Sequence, residues 1–597
     1  MLKKRIGVIM YQTSKSKGQE LVAQRMVREF IKLGHQAYLI TSVYHDEIEE
    51  VSPESLRETG GFMYIEDSGL GIPVVRVDSY IARWPPRRIV FRDFISTLER
   101  IVEKFQLDVL ITHSTLWNGP EEVAKFIAWR RDIRNIGGYE DPLVFCHMSH
   151  FQEPSPHRYS LTERSFRIAW NKLTLPQIFS TANLILVVTP LEKDAKVKMG
   201  AEAEKCFLFP GGVDDEMLRY ANVDVKGLLE RLKSKESAKI VSYLGSLEKR
   251  KNPLVILKVA KMLQYRKDIH FVIAGRGDSP YAKEVIETAS SMPNVTYLGE
   301  VSEQEKVLLI KASHVNILLS QLEALGLTQL EFMYFGVPVI TSAVGGQAWL
   351  IRNEVEGLHV GGSEDADGAA TAITRLVDNQ LLWNQLSANA KKRTKSLTIS
   401  TLTAQLNEAI TKELIKERGL TKIPSEARVT LAEPENVLKS WSSGNWGVIA
   451  TRRRLFVKRG VISRKVTEIP YTNISSIEYM RRYSWKTLAI GVAFSLLFFL
   501  GPFLSPIFSR AFIAGFEELI RFILPEAFLQ SPVLAAFLDV LPILPLIIAA
   551  IAFAIQARTG FNLRGPGIEA LYLPSKFREV IAFIRRVQNG QSLREKK

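Results

Sequence analysis

The chain has 597 residues, too many for one hydrophobic core when domains run at roughly 100–200 residues. A hydrophobic fraction of 46% with 24% charged residues excludes a disordered chain, and only two cysteines, Cys146 and Cys206, exclude a disulfide framework. The formal net charge of +15 leaves anionic membranes, nucleic acid, phosphorylated substrates and plain solubility all open.

The N-terminal MLKKRIGVIMYQTS reads as a first strand rather than a signal peptide, because its apolar run is short. The runs IGVIMY (6–11), QAYLIT (36–41), DVLITH (108–113), LVFCHM (143–148) and LILVVT (184–189) predict strands. Between the first two, GQELVAQRMVREFIKLG (18–34) sets Leu21, Met26, Phe30 and Leu33 at roughly helical spacing and stops at Gly34. Strands this continuously apolar are buried on both faces, which implies a parallel sheet covered by helices.

The pattern restarts with KIVSYLG (239–245), HFVIAG (270–275), VTYLGE (295–300), VNILLS (315–320) and PVITS (338–342). Helices are predicted near 253–267, 304–312, 328–335 and 366–378. The expectation is an α/β protein of two doubly wound lobes, 1–215 and 216–415, with ligands held beyond the carboxyl ends of the strands.

From about 415 the composition changes. Residues 416–433 are charged and interrupted by Pro, so they read as a linker. Short β-like pieces follow over 434–486, resume over 557–590, and end in an amphipathic helix at 575–588. Between them, 487–508 and 540–557 carry no charge, and each is near the length that crosses a hydrocarbon core of about 30 Å. Residues 487–556 are therefore expected to form a transmembrane hairpin with an interfacial segment. Arg481, Arg482 and Lys486 precede the first span, and Arg558 and Arg564 follow the second. The positive-inside tendency puts both flanks, and so both lobes, in the cytoplasm of a multi-pass cell-membrane protein.

Two segments carry the chemistry. In LSQLEALGLTQLEFMYFGVPVITSAVGG (319–346) a strand ends near Ser320 and a helix starts near Leu327. Amides at such a helix start favour an anion, and Gly326 lets the backbone approach closely. YLGSLEKRKNP (243–253) sets Arg250 and Lys251 after a strand, where cations neutralise an anionic leaving group. No Asp-x-Asp motif and no Cys/His metal spacing stands in a credible place, so neither metal nor cofactor is expected. ARWPPRRIVFRDF (82–94) reads as a solvated or membrane-facing surface, not as a nucleic-acid site.

The 319–346 segment resembles the donor motif of retaining GT-B glycosyltransferases (group 1 and family 4-like), a family that includes sucrose, trehalose and lipid-linked mannose transferases. Glu323 and Glu331 take the places of its two glutamates, with Gly326, Gly336 and Pro338 in register. The resemblance implies two Rossmann-like lobes and a nucleoside-diphosphate sugar. It gives donor-sugar hydroxyls to Glu323, ribose hydroxyls to Glu331, and the diphosphate to the helix start at Gly326 and Leu327. Lys251 holds the family's Lys place, while Ser246 stands where an Arg is usual, with Arg250 able to supply that guanidinium. Gly275 in VIAGRGD resembles the second-lobe glycine turn, and Gly18 is what remains of the glycine-rich first loop. FLFPGGVD (207–214) resembles the stretch that closes the first lobe. His147 matches a histidine near the family's reaction centre.

The tail NWGVIATRRRLFVKRGVISRKVTEIPYTNISSIEYM resembles a bacterial pleckstrin-homology-like domain, interrupted by the two spans. Arg452, Arg453, Arg454, Lys458 and Arg464 would meet anionic lipid head groups at about 1 kcal/mol each. Together these features imply a membrane-anchored hexosyltransferase. Its donor would be a nucleoside-diphosphate sugar, its acceptor lipid-linked or membrane-proximal, and its stereochemistry retaining. The alternative is a catalytically inactive membrane-bound scaffold with the same fold.

Overall fold

The computed structural model describes residues 3–419 and 439–588, apart from 15–16, 67, 84–87, 116, 138–142, 150–160, 221, 226, 229–237, 444–445, 451–453, 460–464, 483–557, 566–567 and 575–577. It divides into two compact units, Met1–Pro434 and Glu435–Lys597.

The first unit holds two sheets. One has eight strands in the order Cys206–Leu208, Leu184–Val187, Val144–Met148, Val109–His113, Arg5–Met10, Gln36–Ser42, Val74–Val77 and Phe62–Ile65. Only the last of these runs antiparallel to its neighbour. All five strands read from the sequence are present. The three additional strands are short: Cys206–Leu208 and Phe62–Ile65 form the two edges, and Val74–Val77, paired on both sides, carries Arg76 in its middle. Arg76 is 3% exposed; its Nη1 donates to Ser42 O at 2.8 Å and Tyr44 O at 3.1 Å and its Nη2 to Glu50, while its Nε has no hydrogen-bond partner among the described residues. A charge so placed hides a strand from a reading of apolar runs.

The second sheet is parallel, in the order Val295–Gly299, Ile269–Ala274, Lys239–Leu244, Ser313–Leu318, Val339–Thr341 and Gly357–His359. Several of its helices start at side-chain caps. Ser302 and Glu305 form a reciprocal capping box ahead of Glu303–Ala312, and Ser279 caps Pro280–Ser290. The helix Pro253–Met262 is shorter than the predicted 253–267. The helix Ile399–Gly419 runs beyond 415 and returns to the first sheet. There Asn407 Oδ1 accepts from Lys4 Nζ at 2.6 Å, and Glu417 Oε1 accepts from Asn183 Nδ2 at 2.9 Å. One continuous apolar core thus joins Val8, Met26 and Phe30 of the first lobe to Leu330 and Phe332 of the second through Leu402, Leu406 and Ile410.

The 82–94 segment forms part of a hairpin, with Arg88–Phe91 paired to Ser79–Ala82. Arg92 lies over the Tyr80 ring at 4.5 Å, and Arg88 lies 5.7 Å from both the Phe166 and Trp170 rings.

The second unit has a four-stranded antiparallel sheet, Lys439–Ser443, Trp446–Ala450, Arg454–Arg459 and Lys465–Pro470. A three-stranded sheet follows, Ser476–Arg482, Arg558–Gly565 and Ile568–Pro574. The helix Arg578–Gln588 packs Val580 and Ile584 against Val448, Leu455, Ile469 and Leu563. Arg454 and Lys458 lie on one strand, while Arg452, Arg453 and Arg464 fall outside the described residues. The two spans expected at 487–508 and 540–557 also lie outside the described residues, as does 420–433 of the linker. Among the described residues no helix is long and apolar enough to cross a membrane.

Candidate active site

In the second sheet Lys239–Leu244 lies between Ile269–Ala274 and Ser313–Leu318. Chain order reverses at the contact of Lys239–Leu244 with Ser313–Leu318, the place where doubly wound sheets bind their ligands, at the loops leaving the two strands. One loop brings the short turn Lys249–Lys251, and the other brings Glu323. They are tied together directly. Gln321 N donates to Arg250 O at 2.8 Å, and Arg250 Nη1 donates to Leu322 O at 3.2 Å. Lys251 Nζ donates to Glu323 Oε1, and Arg250 Nη1 lies 3.7 Å from the same oxygen. Glu323 is 8% exposed, so two cations compensate a buried carboxylate.

The Glu323 loop rests on the glycine pair. Gly346 N donates to Glu323 O at 3.1 Å. Gly345 has φ +56, and a Cβ there would collide with Glu323 O. Beneath the loop, Ser342 Oγ donates to Ser320 O at 2.6 Å. Gln347 Nε2 donates to Gln329 Oε1 at 2.8 Å, and Gln329 Nε2 to Ile340 O at 3.0 Å. This support was not singled out from the sequence, because a Gln in a helix ordinarily reads as surface.

The donor helix, Leu327–Tyr334, begins after Gly326 at φ +93 with no side-chain cap. Its first-turn amides are therefore uncapped by any side chain and suited to an anion. Gly275, at φ +144, packs against Gly245, and a Cβ would strike Gly245 O. Its glycine identity keeps the two strand-end turns in contact. Ser246 brings no cation, but its carbonyl anchors the turn by accepting from Tyr243 Oη at 2.6 Å.

The first helix, Gly18–Lys32, lies against the donor helix, with Gly18 near Leu327 and Arg25 near Glu331. A Cβ on Gly18 would lie 3.3 Å from Leu327 Cδ1. A Cβ on Gly211, at φ +91, would lie 3.1 Å from Val22 Cγ2 and 3.4 Å from Leu327 Cδ2. Glu331, 6% exposed, accepts from Lys306 Nζ at 3.2 Å.

His147 stands apart from this group. It is fully buried in the strand Val144–Met148, with Nδ1 2.8 Å from Thr112 Oγ1. Burial, then the nearby Lys196 and His113, hold its pKa well below that of an ordinary imidazole, so the ring is neutral at pH 7. No hydrogen bond or ion pair among the described residues joins it to Glu323, Lys251 or Arg250. The structure thus brings together Glu323, Lys251 and Arg250, sets Gly326 and Leu327 at the donor-helix start that follows Glu323 in the chain, sets Gly18 and Glu331 on the two facing helices, and leaves His147 inside the first sheet.

Known proteins match this chain in segments. Residues 16–217 match the model of Glycosyltransferase Family 4, residues 227–393 that of Glycosyl transferases group 1, and residues 437–498 that of the Bacterial PH domain. The chain is 28% identical over 204 residues to D-inositol 3-phosphate glycosyltransferase of Geodermatophilus obscurus, a match covering 32% of this chain and 44% of that protein. It is 33% identical over 168 residues to the GalNAc-alpha-(1->4)-GalNAc-alpha-(1->3)-diNAcBac-PP-undecaprenol alpha-1,4-N-acetyl-D-galactosaminyltransferase of Campylobacter jejuni. That match covers 28% of this chain and 46% of the relative, and across the curated relatives the matches span from 40% to 62% of the relative's length. Sucrose-phosphate synthase from Thermosynechococcus elongatus shares the fold at a TM-score of 0.53 and 18% identity, covering 69% of this chain and all of that one. The chain therefore carries a glycosyltransferase family 4 domain followed by a glycosyl transferases group 1 domain, in a GT-B-like α/β fold, with a bacterial PH-like domain after them.

Proposed function

We propose that this protein is a membrane-anchored glycosyltransferase. It moves a hexosyl group from a nucleoside-diphosphate sugar to a lipid-linked or membrane-proximal acceptor, with retention. The observation that carries the reading is the pairing of Lys251 and Arg250 with Glu323, on the loop that leads into the uncapped donor-helix start. Cations and amides suit a departing diphosphate, and a fixed carboxylate suits sugar hydroxyls. Leaving-group neutralisation by side chains rather than by a metal ion, and a hydroxyl-orienting role for His147, belong to the same proposal. The acceptor class draws support from the Campylobacter relative, whose name includes an undecaprenol-linked saccharide. Anchoring draws support from the uncharged runs at 487–508 and 540–557, and cytoplasmic lobes from their basic flanks. Arg454 and Lys458 of the PH-like unit are proposed to contact anionic lipid.

The test begins with the purified full chain and thermal stabilisation by UDP-, GDP- and ADP-sugars. A ligand at 100 times its Kd adds about 2.7 kcal/mol, so one nucleotide class should stand out. Transfer from that donor to a polyprenyl-diphosphate saccharide is then measured, and Glu323→Ala should abolish it. Absence of stabilisation by every donor, with the cellular role of Glu323→Ala intact, would leave the inactive scaffold.

A further inference from the structure

Two helix faces meet at the cleft with helical periodicity. Gly18, Val22 and Arg25 recur at i, i+4 and i+7 on the first helix, while Leu327 and Glu331 sit at i and i+4 on the donor helix. Gly18 and Gly211 leave the space that Leu327 fills, so the two helices approach closely enough for their next turns to interact. One turn further in, Arg25 lies 3.9 Å from Glu331 Oε1 through Nη1, and Arg25 Nε lies 2.9 Å from Asp214 Oδ2. Asp214 belongs to the segment that closes the first lobe, next to Val213, which bridges Thr398 at the start of the returning helix. Arg25 is 5% exposed and Asp214 7%, so this is a buried guanidinium bridging two carboxylates from different parts of the fold. From the other side Lys306 reaches the same Glu331 oxygen at 3.2 Å, on a helix fixed by the Ser302–Glu305 capping box. Both cations approach Glu331 at Oε1, and Oε2 has no hydrogen-bond partner among the described residues.

We propose that Arg25 and Lys306 are positioning residues. They clamp one oxygen of Glu331 so that the other is presented to the ribose of the donor nucleotide, and Arg25 makes that presentation depend on the register of the two lobes. The inference rests on the donor-site reading above and extends it to residues that touch no substrate. Ribose recognition then becomes a report on cleft geometry, since a shift of the first helix relative to the donor helix withdraws Arg25 from Glu331.

The test separates a positioning role from a structural one by asking about a single substrate hydroxyl. Binding of UDP, GDP and ADP to the detergent-purified full chain is measured by calorimetry. The tightest ligand is then compared with its 2′-deoxy and 3′-deoxy counterparts. The wild type should prefer the ribose form by about tenfold to a hundredfold, the range for a hydrogen bond to a charged group. Lys306→Met and Arg25→Met should bring that preference down to about threefold or less, while affinity for the deoxy forms changes little. Lys306→Arg, which keeps the charge, should restore it. Arg25→Lys gives a second, gentler variant if Arg25→Met melts early. Equal losses for ribose and deoxy forms, or a preference unchanged from wild type, overturn the positioning role. A wild type that binds nucleotides without preferring ribose, or binds none, overturns the donor-site reading itself, and the inference falls with it.

Discussion

At the scale of single residues, Glu323 has two duties that pull against each other. It is the proposed partner of donor-sugar hydroxyls, and it already engages Lys251 and Arg250, the proposed neutralisers of the diphosphate. A diphosphate must compete with Glu323 for those cations. Glu323→Gln keeps the shape and removes the competing charge. It should bind the free nucleoside diphosphate more tightly, by about tenfold, while transfer falls by about a hundredfold or more. Calorimetry with UDP, GDP or ADP alongside a turnover assay decides it, and weaker nucleotide binding by the Gln variant would refute the shared-cation picture. These site residues were legible in the sequence because they sit in short motifs at strand ends. Gln329, Gln347, Ser342, Arg25 and Asp214 were not, because their partners come from distant segments and no spacing records the pairing.

At the scale of elements, apolar runs were read well where both faces of a strand are covered, as in Val109–His113 and Ile269–Ala274. They failed at Val74–Val77, where a buried arginine interrupts the pattern, and at Ile399–Gly419, whose polar outer face reads like the onset of a linker. The helix Asn118–Gly137 shows how an element can carry a hidden charge cost. Glu121, in its first turn, is 6% exposed, with Oε1 accepting from Trp170 Nε1 at 2.8 Å. Burial pushes its pKa up to about 7, against the opposing pull of the helix amides, Trp170 and Lys125. A carboxyl raised in the folded state favours folding while protonated. That contribution is complete below the unfolded value of 4.5 and is lost as pH rises through about 7. Glu121→Gln keeps an acceptor for Trp170 and cannot ionise. Its stability relative to wild type should climb between pH 5 and 7 and level off above, by roughly 3 kcal/mol at most. Melting curves of both proteins across that range decide it, and a difference independent of pH would mean that Glu121 stays ionised in the folded protein.

At the scale of the whole molecule, the second unit constrains what lies between its two halves. Ser476–Arg482 and Arg558–Gly565 pair antiparallel along their full length, and Arg482 faces Arg558 as the terminal pair. The chain therefore leaves this sheet and returns to it at one point, flanked by basic residues at both ends. An insertion that departs and returns at the same place crosses a bilayer an even number of times, which is the topology of the proposed hairpin. The same register makes the insertion removable. An antiparallel pair closes with a two-residue turn, so Asn-Gly in place of residues 483–557 should leave the PH-like unit folded around Val448, Leu455, Ile469 and Val580. This variant should purify without detergent and keep the nucleotide-sugar stabilisation of the full chain, because the donor crevice is built wholly from the first unit. Transfer to a polyprenyl-linked acceptor in vesicles should fall by at least about tenfold, since anchoring supplies the effective concentration that places the cleft at the bilayer. A variant that still demands detergent would show that the anchor lies elsewhere. One that transfers to vesicle-borne acceptor at the wild-type rate would show that the insertion serves something other than substrate access.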